Sequence, residues 1–364
     1  MPELDKFFGA LHQHGGSDLH LSAGTPPALR LHGSIVPLKI PPLPAEQIRE
    51  MLEEVMPQRA RRQFSETGDA DFSYDLPGVA RFRGNAFLDR HGPGAVFRIV
   101  PTELLTADQL GLPSSILKFC TLNKGLVLVT GPTGSGKSTT LAAMINHINE
   151  TRKDHIITIE DPIEFVHENN KCRINQREVH DHTQSFAIAL RAALREDPDI
   201  VLVGEMRDLE TTHIAIETAE TGHLVLGTLH TSTAASTVDR IIDQFPADRQ
   251  AQIRTMLSVS LKGVISQALC RRKDGQGRIA AMEVLVATSA IANHIREGKT
   301  YQIPSAMQTG AKEGMLILND SLIKLVMDDR VTAQEAFDKS VDRKDMAQKL
   351  QIAGIDLETL AVTE

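Results

Sequence analysis

Residues Gly125–Thr140 read GLVLVTGPTGSGKSTT, and this stretch decides the fold. A short apolar run leads directly into GPTGSGKS, which matches the phosphate-binding pattern G-x-x-x-x-G-K-[ST]. The segment that follows, TTLAAMINHI, predicts a helix whose N-terminus faces bound phosphate. A strand, a glycine-rich loop and a helix in this order predict a nucleotide-binding domain of the α/β class.

The chemistry of the loop is divided among its residues. Its three glycines let the backbone bring several N–H groups onto phosphate oxygens. Lys137 supplies positive charge to the β- and γ-phosphates, and the Ser138 hydroxyl is a ligand for Mg²⁺. We therefore predict ATP and Mg²⁺ as cofactors, bound by nine consecutive residues: Gly131, Pro132, Thr133, Gly134, Ser135, Gly136, Lys137, Ser138 and Thr139.

Three more apolar runs follow the loop along the chain: HIITI from His155, DIVLV from Asp199 and HLVLGTL from His223. Each run is continuous rather than alternating, as strands are when both of their faces are buried. With helical segments between them, these runs predict a mostly parallel sheet covered by helices. From about Ala247 the pattern indicates helices, apart from RIAAMEVLV at 278–286.

Polar residues follow these runs where the strands should end. DIVLVGE delivers Glu205, which could complete the Mg²⁺ shell or orient an attacking water. IEDPIEF places Glu160, Asp161 and Glu164 beyond another run, where a carboxylate could position or deprotonate that water. His230 follows the third run and could contact the γ-phosphate or polarise water. Alternatively, the three acids form a solvated turn. His230 could likewise be a histidine of the core.

The first hundred residues predict a separate α+β domain. DLHLS and ALRLHG alternate with the period of strands, and ADFSYDL, ARFRGNAFL and AVFRIV are separated by Pro-Gly and Gly-Pro-Gly turns. Ile48, Leu52 and Val55 have the spacing of a helix that begins near Pro44. The stretch Pro101–Pro113 lacks strong periodicity and is the candidate linker.

Two arginines of this domain are candidate phosphate ligands. RFRGNAF places Arg81 and Arg83 on one face of a strand, because alternate residues of a strand share a face. Arginines in this arrangement suit bidentate contacts with phosphate. A solvated edge strand is the alternative interpretation.

Composition excludes several classes of protein. The 364 residues carry a formal net charge of −8, and aromatic residues are 4% with no Trp. Nucleic acid is therefore disfavoured as the main partner and stacking platforms are scarce, with a local basic patch as the alternative. Three separated cysteines without a CxxC pair argue against a zinc site and favour reduced thiols. The N-terminal segment lacks a basic flank and an apolar core, and no apolar run reaches membrane-spanning length, so we expect a soluble cytoplasmic protein.

These blocks, in this order, resemble the secretion-type ATPases of bacterial pilus and type II secretion systems. Within that group the chain is similar to the type IV pilus retraction ATPases, the twitching-motility family. The resemblance covers nearly the whole chain. Its further motifs are SDLHLSAGTPPALRLHG, DFSYDLP, INQREV, ALREDPDIVLVGEMRD, TGHLVLGTLHTSTAASTVDRIIDQFP and MQTGAKEGM.

The resemblance implies an architecture and roles for the candidate residues. It implies a PAS-like domain over residues 1–100, a linker over 101–113 and a RecA-like ATPase domain over 114–364, helical from about 287. Glu164 in the Asp box then becomes the general base and Glu205 the Walker B acid that shares Mg²⁺ with Ser138, partly through water. The implied catalytic set is completed by His230 of the His box and by Arg81 and Arg83 as nucleotide sensors.

The resemblance also implies an assembly. Six chains form a ring that hydrolyses ATP and acts on the inner-membrane platform protein beneath the pilus. Contact with the membrane would occur only through that partner, and no nucleic acid is expected. The absence of a four-cysteine zinc element and of additional N-terminal domains favours retraction over extension.

Three positions depart from the family pattern. The retraction family carries a helical signature resembling AIRNLIRE, whereas residues 290–297 read AIANHIRE, with Ala292 and His294 different. His180 stands where the family often has Gly. A tolerant amphipathic helix is the simpler interpretation of AIANHIRE. The alternatives for function are a nucleotide-gated regulator of another pilus motor and a RecA-like nucleic-acid translocase.

Overall fold

The computed structural model describes residues 2–31, 33–100 and 104–355. The chain divides into two compact units, the first of Met1–Glu103 with Glu164–Val166 and the second of Leu104–Ile163 with His167–Glu364. The predicted linker starts in residues 101–103, and the predicted ATPase domain ends in 356–364; both stretches lie outside the described residues. The described part of the linker contains a short helix that begins after a capping box at Thr106, whose hydroxyl accepts the Gln109 N–H.

Within residues 2–31 and 33–100, the first unit is a six-stranded antiparallel sheet in the order β3-β2-β1-β6-β5-β4. Its strands are β1 (Asp18–Ser22), β2 (Ala28–Leu31), β3 (Ser34–Pro37), β4 (Asp69–Leu76), β5 (Ala80–Asp89) and β6 (Gly92–Val100). Its helices are α1 (Asp5–Gln13), α2 (Ala45–Val55) and α3 (Gln58–Thr67). The strands and the helix predicted from the sequence are confirmed, but the Gly-Pro-Gly at 92–94, expected to be a turn, begins β6, and the turn lies at Arg90 and His91.

Aromatic rings form the centre of this unit. The Phe8 ring stacks on Phe82 with centroids 4.2 Å apart and meets the Phe97 ring edge-on at 5.0 Å. A side chain at Gly84 would lie 2.6 Å from the Phe97 ring, so the glycine allows the close approach. The predicted helix α2 buries Ile48 and Leu52 on its inner face.

Within residues 104–355, the second unit forms a seven-stranded sheet in the order β13-β12-β7-β11-β10-β8-β9. Its strands are β7 (Gly125–Thr130), β8 (His155–Glu160), β9 (Arg173–Glu178), β10 (Ile200–Val203), β11 (Leu224–Leu229), β12 (Leu261–Arg271) and β13 (Arg278–Val286). Only β13 is antiparallel to its neighbour among the pairs described in this sheet. The predicted mostly parallel sheet is confirmed.

Helices surround this sheet. They are α4 (Ala107–Leu110), α5 (Ser114–Phe119), α6 (Lys137–Thr151), α7 (Phe186–Ala193), α8 (Leu209–Glu220), α9 (Ala234–Asp243), α10 (Gln250–Ser260), α11 (Ser289–Arg296), α12 (Ile303–Thr309), α13 (Leu318–Met327), α14 (Ala333–Lys339) and α15 (Arg343–Ile352). Short 3-10 helices occupy Thr300–Gln302 and Ala311–Glu313. No helix in the described ranges has both the length and the apolar composition that crossing a membrane requires.

The sequence interpretation missed strand β12. The region after Ala247 was expected to be helical, yet Leu261–Arg271 is an eleven-residue strand between β13 and β7. Gly, Ser and Gln interrupt its apolar residues, and α10 ends at the residue before it without a turn signal. Because the strand is buried on both faces, it also lacks the polar alternation that identifies a half-buried strand. The sequence also gives no strand prediction for β9, whose residues form most of the INQREV motif.

The structure shows the setting of the residues that differ from the family pattern: His180, and Ala292 and His294 of AIANHIRE. His180 has a φ of 75°, in the left-handed region that glycine adopts at little cost, which explains why glycine suits this position. AIANHIRE lies on α11, which buries Ile291 and Ile295 completely. Ala292 and His294 are partly exposed, as expected for the flank of an amphipathic helix.

All three cysteines lie among the described residues and are free and buried. Burial raises the pKa of the Cys120 thiol to about 12 and, with the Glu335 charge, that of Cys270 to about 11. Burial also raises the pKa of Cys172. These thiols therefore stay protonated at neutral pH.

The tight packing at Gly263 of β12 generates a prediction. A Cβ there would lie 2.2 Å from the Phe119 ring, so Gly263→Ala should lower the free energy of unfolding by about 1–3 kcal/mol through overpacking. Urea unfolding would measure the loss. Phe119→Leu makes room for the methyl group, so adding Gly263→Ala to that variant should cost clearly less than it costs alone. An equal cost in both backgrounds would show that the ring is not the obstacle.

Candidate functional site

The phosphate-binding loop connects β7 to α6 at the carboxyl edge of the parallel sheet. Gly131, Gly134 and Gly136 have φ values of 143°, 76° and 89°, which are strained for any other residue. A Cβ on Gly131 would also lie 2.4 Å from the main-chain oxygen of Gln267. The loop therefore requires glycine at these positions for conformation, and at Gly131 also for its close approach to β12.

Lys137 lies across the loop. Its ammonium Nζ donates to the Gly131 carbonyl at 2.9 Å and to the Pro132 carbonyl at 3.2 Å. The same Nζ lies 3.4 Å from Nδ1 of His230. Burial lowers the pKa of Lys137, and the charge of Glu205 opposes that shift. The positive charge is thus held inside the loop, where P-loop proteins bind phosphate.

Glu205 and His230 are direct partners, as their positions after adjacent strands predict. The Glu205 Oε1 lies 2.8 Å from Nε2 of His230 and 2.5 Å from Nε of Arg207. Because the Lys137 ammonium can only donate, His230 Nδ1 accepts and Nε2 carries the proton that is donated to Glu205. Lys137, His230 and Glu205 therefore form one continuous chain of contacts.

The charge of Glu205 is stabilised by its neighbours. Burial alone would raise the pKa of this carboxyl, but the hydrogen bond and charge of Arg207, together with His230, hold it below its usual value. Glu205 is consequently ionised at neutral pH. Arg207, which follows in GEMRD, was not recognised as a site residue from the sequence.

The residues available to hold Mg²⁺ fit that ion. Ser138 is exposed in the first turn of α6, and Glu205 offers an ionised carboxylate. Among the described residues there is no group of three or more His, Cys, Asp or Glu side chains that could form a metal site by themselves. Mg²⁺ suits such a setting, because it is commonly held by one or two protein oxygens, substrate phosphates and water.

The acidic segment after β8 is held by hydrogen bonds. Glu160 accepts from the Thr158 hydroxyl at 2.6 Å and from the Gln176 amide at 3.2 Å. Glu178 of β9 accepts the backbone N–H of Ile163 at 3.0 Å. The carboxylates of Glu160 and Glu178 therefore serve as hydrogen-bond acceptors within the second unit.

Three predicted site residues are grouped with the first unit, whereas Lys137, Glu205 and His230 belong to the second. They are Glu164, Arg81 and Arg83. Glu164 and Arg83 are exposed. Arg81 donates to Asp75 of the neighbouring strand at 2.9 Å.

The most important residue that sequence reasoning missed is Gln267. Its side-chain nitrogen donates to the Ser135 carbonyl at 2.6 Å, and its side-chain oxygen accepts from the Thr140 hydroxyl at 2.9 Å. It thus connects the loop to the first helical turn behind it. The only sequence signal for Gln267 is an amide side chain among the apolar residues of 261–271. Its role could not be inferred because the sequence did not predict that these residues form strand β12.

Hydroxyl groups extend this support towards His230. Thr130, the last residue of β7, lies 2.8 Å from the Ser266 hydroxyl of β12. Thr237 of α9 contacts Thr130 at 3.5 Å and Thr231 at 2.7 Å, measured between hydroxyl oxygens. Thr130, Thr237 and Ser266 are fully buried, so these contacts fix the segment after His230 relative to the loop.

Comparison with known proteins agrees with this geometry. Residues 68–354 match the family described as type II/IV secretion system protein. The type IV pilus retraction ATPase PilT of Pseudomonas aeruginosa is 53% identical over 328 residues, which cover 90% of this chain and 95% of that protein. A twitching motility protein of Neisseria gonorrhoeae is 52% identical, over 88% of this chain and 86% of that protein.

A solved structure gives the same result for the fold. The crystal structure of the pilus retraction motor PilT with bound ADP superposes with a TM-score of 0.89 at 48% sequence identity. The match covers 96% of this chain and 99% of that one. The resemblance inferred from the sequence motifs is confirmed. The chain belongs to the type II/IV secretion system protein family and, within it, to the type IV pilus retraction ATPases.

Proposed function

We propose that this protein is a Mg²⁺-dependent ATPase that drives pilus retraction as a six-membered ring. The contact chain from Lys137 through His230 to Glu205 carries the enzymatic part, because it joins a phosphate-binding cation to an ionised carboxylate. The retraction output follows from the relatives named as a retraction ATPase and a twitching motility protein. In this proposal the ring binds the inner-membrane platform protein at the cytoplasmic base of the pilus.

Each residue of the chain of contacts has a distinct task. Lys137 moves its ammonium from the loop carbonyls to the β- and γ-phosphate oxygens of ATP. That movement changes the Lys137–His230 contact, while His230 still donates to Glu205. His230 therefore links the phosphate-binding ammonium to Glu205, which is its role in turnover in this proposal. Ser138 and Glu205 would hold Mg²⁺, which would supply neutralising charge to the phosphates.

The lowered pKa of Glu205 helps to assign the general base. A base works best when its pKa lies near the working pH, and a carboxylate stabilised by Arg207 and His230 is therefore a weak base. Glu205 is better suited to ordering the metal shell. Glu164 then positions or deprotonates water, with Arg81 and Arg83 as sensors of the nucleotide from the first unit.

Lys137→Ala should abolish ATP turnover, because the phosphates lose their only cation on the loop itself. We expect turnover to fall by about 10²-fold or more. A phosphate-release assay would measure it, with Lys153→Ala as the control. Lys153 is exposed just before the start of β8, whereas the phosphate-binding loop lies at the edge where the parallel strands end. Its loss should therefore leave turnover unchanged. Normal turnover of Lys137→Ala would remove the loop from the mechanism.

Glu164→Gln should retain ATP binding and reduce turnover by about 10²-fold, because the amide cannot accept a proton from water. Glu168→Gln, an exposed glutamate four residues further on, is the matched control. Single-turnover measurements at saturating ATP would separate the chemical step from binding. Unchanged turnover in Glu164→Gln would transfer the role of base to Glu205.

Gln267→Ala should weaken ATP binding, because Ser135 and Thr140 each lose a buried hydrogen-bond partner and the loop is less ordered. We expect the Kd for ATP to rise about tenfold, which corresponds to one lost buried hydrogen bond. Gln276→Ala, in the turn between β12 and β13, is the control. Equal Kd values for both variants would show that β12 does not support the loop energetically.

Retraction itself is tested by complementation. The wild-type gene is expressed in a piliated strain that lacks retraction, and the shortening of labelled pili is observed. Wild type should restore shortening and Lys137→Ala should not. If an expressed, hydrolysing wild-type protein fails to restore it, the retraction role is wrong and regulation of another motor becomes the better assignment. The AIANHIRE helix α11 would then be the first region to exchange.

A further inference from the structure

Glu283 is a buried carboxylate that the mechanism above does not use. It lies on β13, and the residue is only 8% exposed. Its Oε1 accepts the backbone N–H of Ala234 at 2.7 Å, and the carboxylate is also hydrogen-bonded to the backbone of Leu318. Ala234 is the first residue of α9 and Leu318 is the first residue of α13. One side chain thus joins the starts of two helices.

The first of these helices begins close to the site. Only three residues separate His230 from Ala234, and Thr233 before the helix is extended, with φ −138° and ψ 158°. The hydroxyls of Thr237 and Thr130 hold the same segment from the side of the loop. The segment after His230 is therefore held on one side by β7 and on the other by Glu283.

The second helix is firmly attached to β13. Val284 exchanges two backbone hydrogen bonds with Leu316, at 2.8 and 2.9 Å, just before α13 begins. The Met282 N–H donates to the Ser321 hydroxyl at 3.0 Å, within the first turns of α13. Because α13 is fixed to the residues on either side of Glu283, its displacement would also displace the carboxylate.

Burial makes the Glu283 contacts specific. A buried carboxylate needs donors in the right places, and here two backbone N–H groups at helix starts supply them. A glutamine of the same shape has one acceptor oxygen in place of two and carries no charge, so it is a weaker acceptor for these two backbone donors. The isosteric change therefore disturbs the contacts without creating a cavity.

We propose that Glu283 is a positioning residue for His230, which it holds through the first turn of α9 and connects to the C-terminal helix α13. The proposal rests on the role of His230 in turnover given above. Glu283 touches neither nucleotide nor water in this proposal. It acts by keeping the imidazole between Lys137 and Glu205.

The test compares Glu283→Gln with a matched control, Glu335→Gln. Glu335 of α14 is also a glutamate that accepts a backbone N–H, but its donor is Arg271 at the end of β12 and not the start of α9. Glu283→Gln should reduce kcat about tenfold and leave the Kd for ATP within about twofold. Hydrogen exchange should increase at 231–237. Glu335→Gln should change neither kcat nor exchange at those residues.

A double-mutant cycle identifies the route of the effect. If Glu283 acts through His230, adding Glu283→Gln to His230→Ala should cause no further loss of kcat. Multiplicative losses would overturn the inference while leaving the role of His230 intact. If His230→Ala alone leaves kcat unchanged, the assigned role of His230 is wrong and the inference falls with it.

A second variant guards against poor folding of Glu283→Gln. Ala234→Pro removes the N–H that Glu283 accepts and keeps the carboxylate. Proline is favoured at the first position of a helix, and the extended Thr233 is compatible with a following proline. It should reproduce the loss of kcat with an unchanged Kd for ATP. Wild-type kcat in a folded Ala234→Pro or Glu283→Gln protein would overturn the inference.

Discussion

The close approach of the phosphate-binding loop to β12 is the constraint on which the site depends. The loop passes so near this strand that no side chain fits at Gly131, and Gln267 reaches from the strand to the loop carbonyl of Ser135. This contact requires β12 to lie beside β7, which in turn places β11 on the other side of β7. The position of Lys137 next to His230, the residue after β11, follows from that order.

Much of this arrangement could be predicted from the sequence. The loop motif and the continuous apolar runs identify β7, β8, β10 and β11, and parallel pairing brings Glu205 and His230 to the same edge. The family and the ATPase class were also correct, because their motifs extend over nearly the whole chain. The domain boundaries and the roles of all the site residues remain predictions, those of Glu205 and His230 as much as those of Glu164, Arg81 and Arg83.

The parts that could not be predicted share a physical cause. Gln267, Ser266 and Glu283 act through long-range contacts, and nothing local in the sequence indicates what they touch. Each is a polar residue within a buried strand. A single sequence does not show whether such a residue makes a needed hydrogen bond or is merely tolerated there. At His180 the structure adds what the sequence could not show, because the left-handed backbone explains why glycine suits this position.

The buried cysteines make the native chain a convenient host for reporter groups. Since all three thiols are enclosed and protonated at neutral pH, a maleimide probe reacts much faster with a cysteine introduced on the surface than with Cys120, Cys172 or Cys270. Pairs of fluorophores or spin labels can therefore be placed on the two units without first replacing the natural cysteines. The distances between the units during a nucleotide cycle are then accessible in an otherwise unmodified protein.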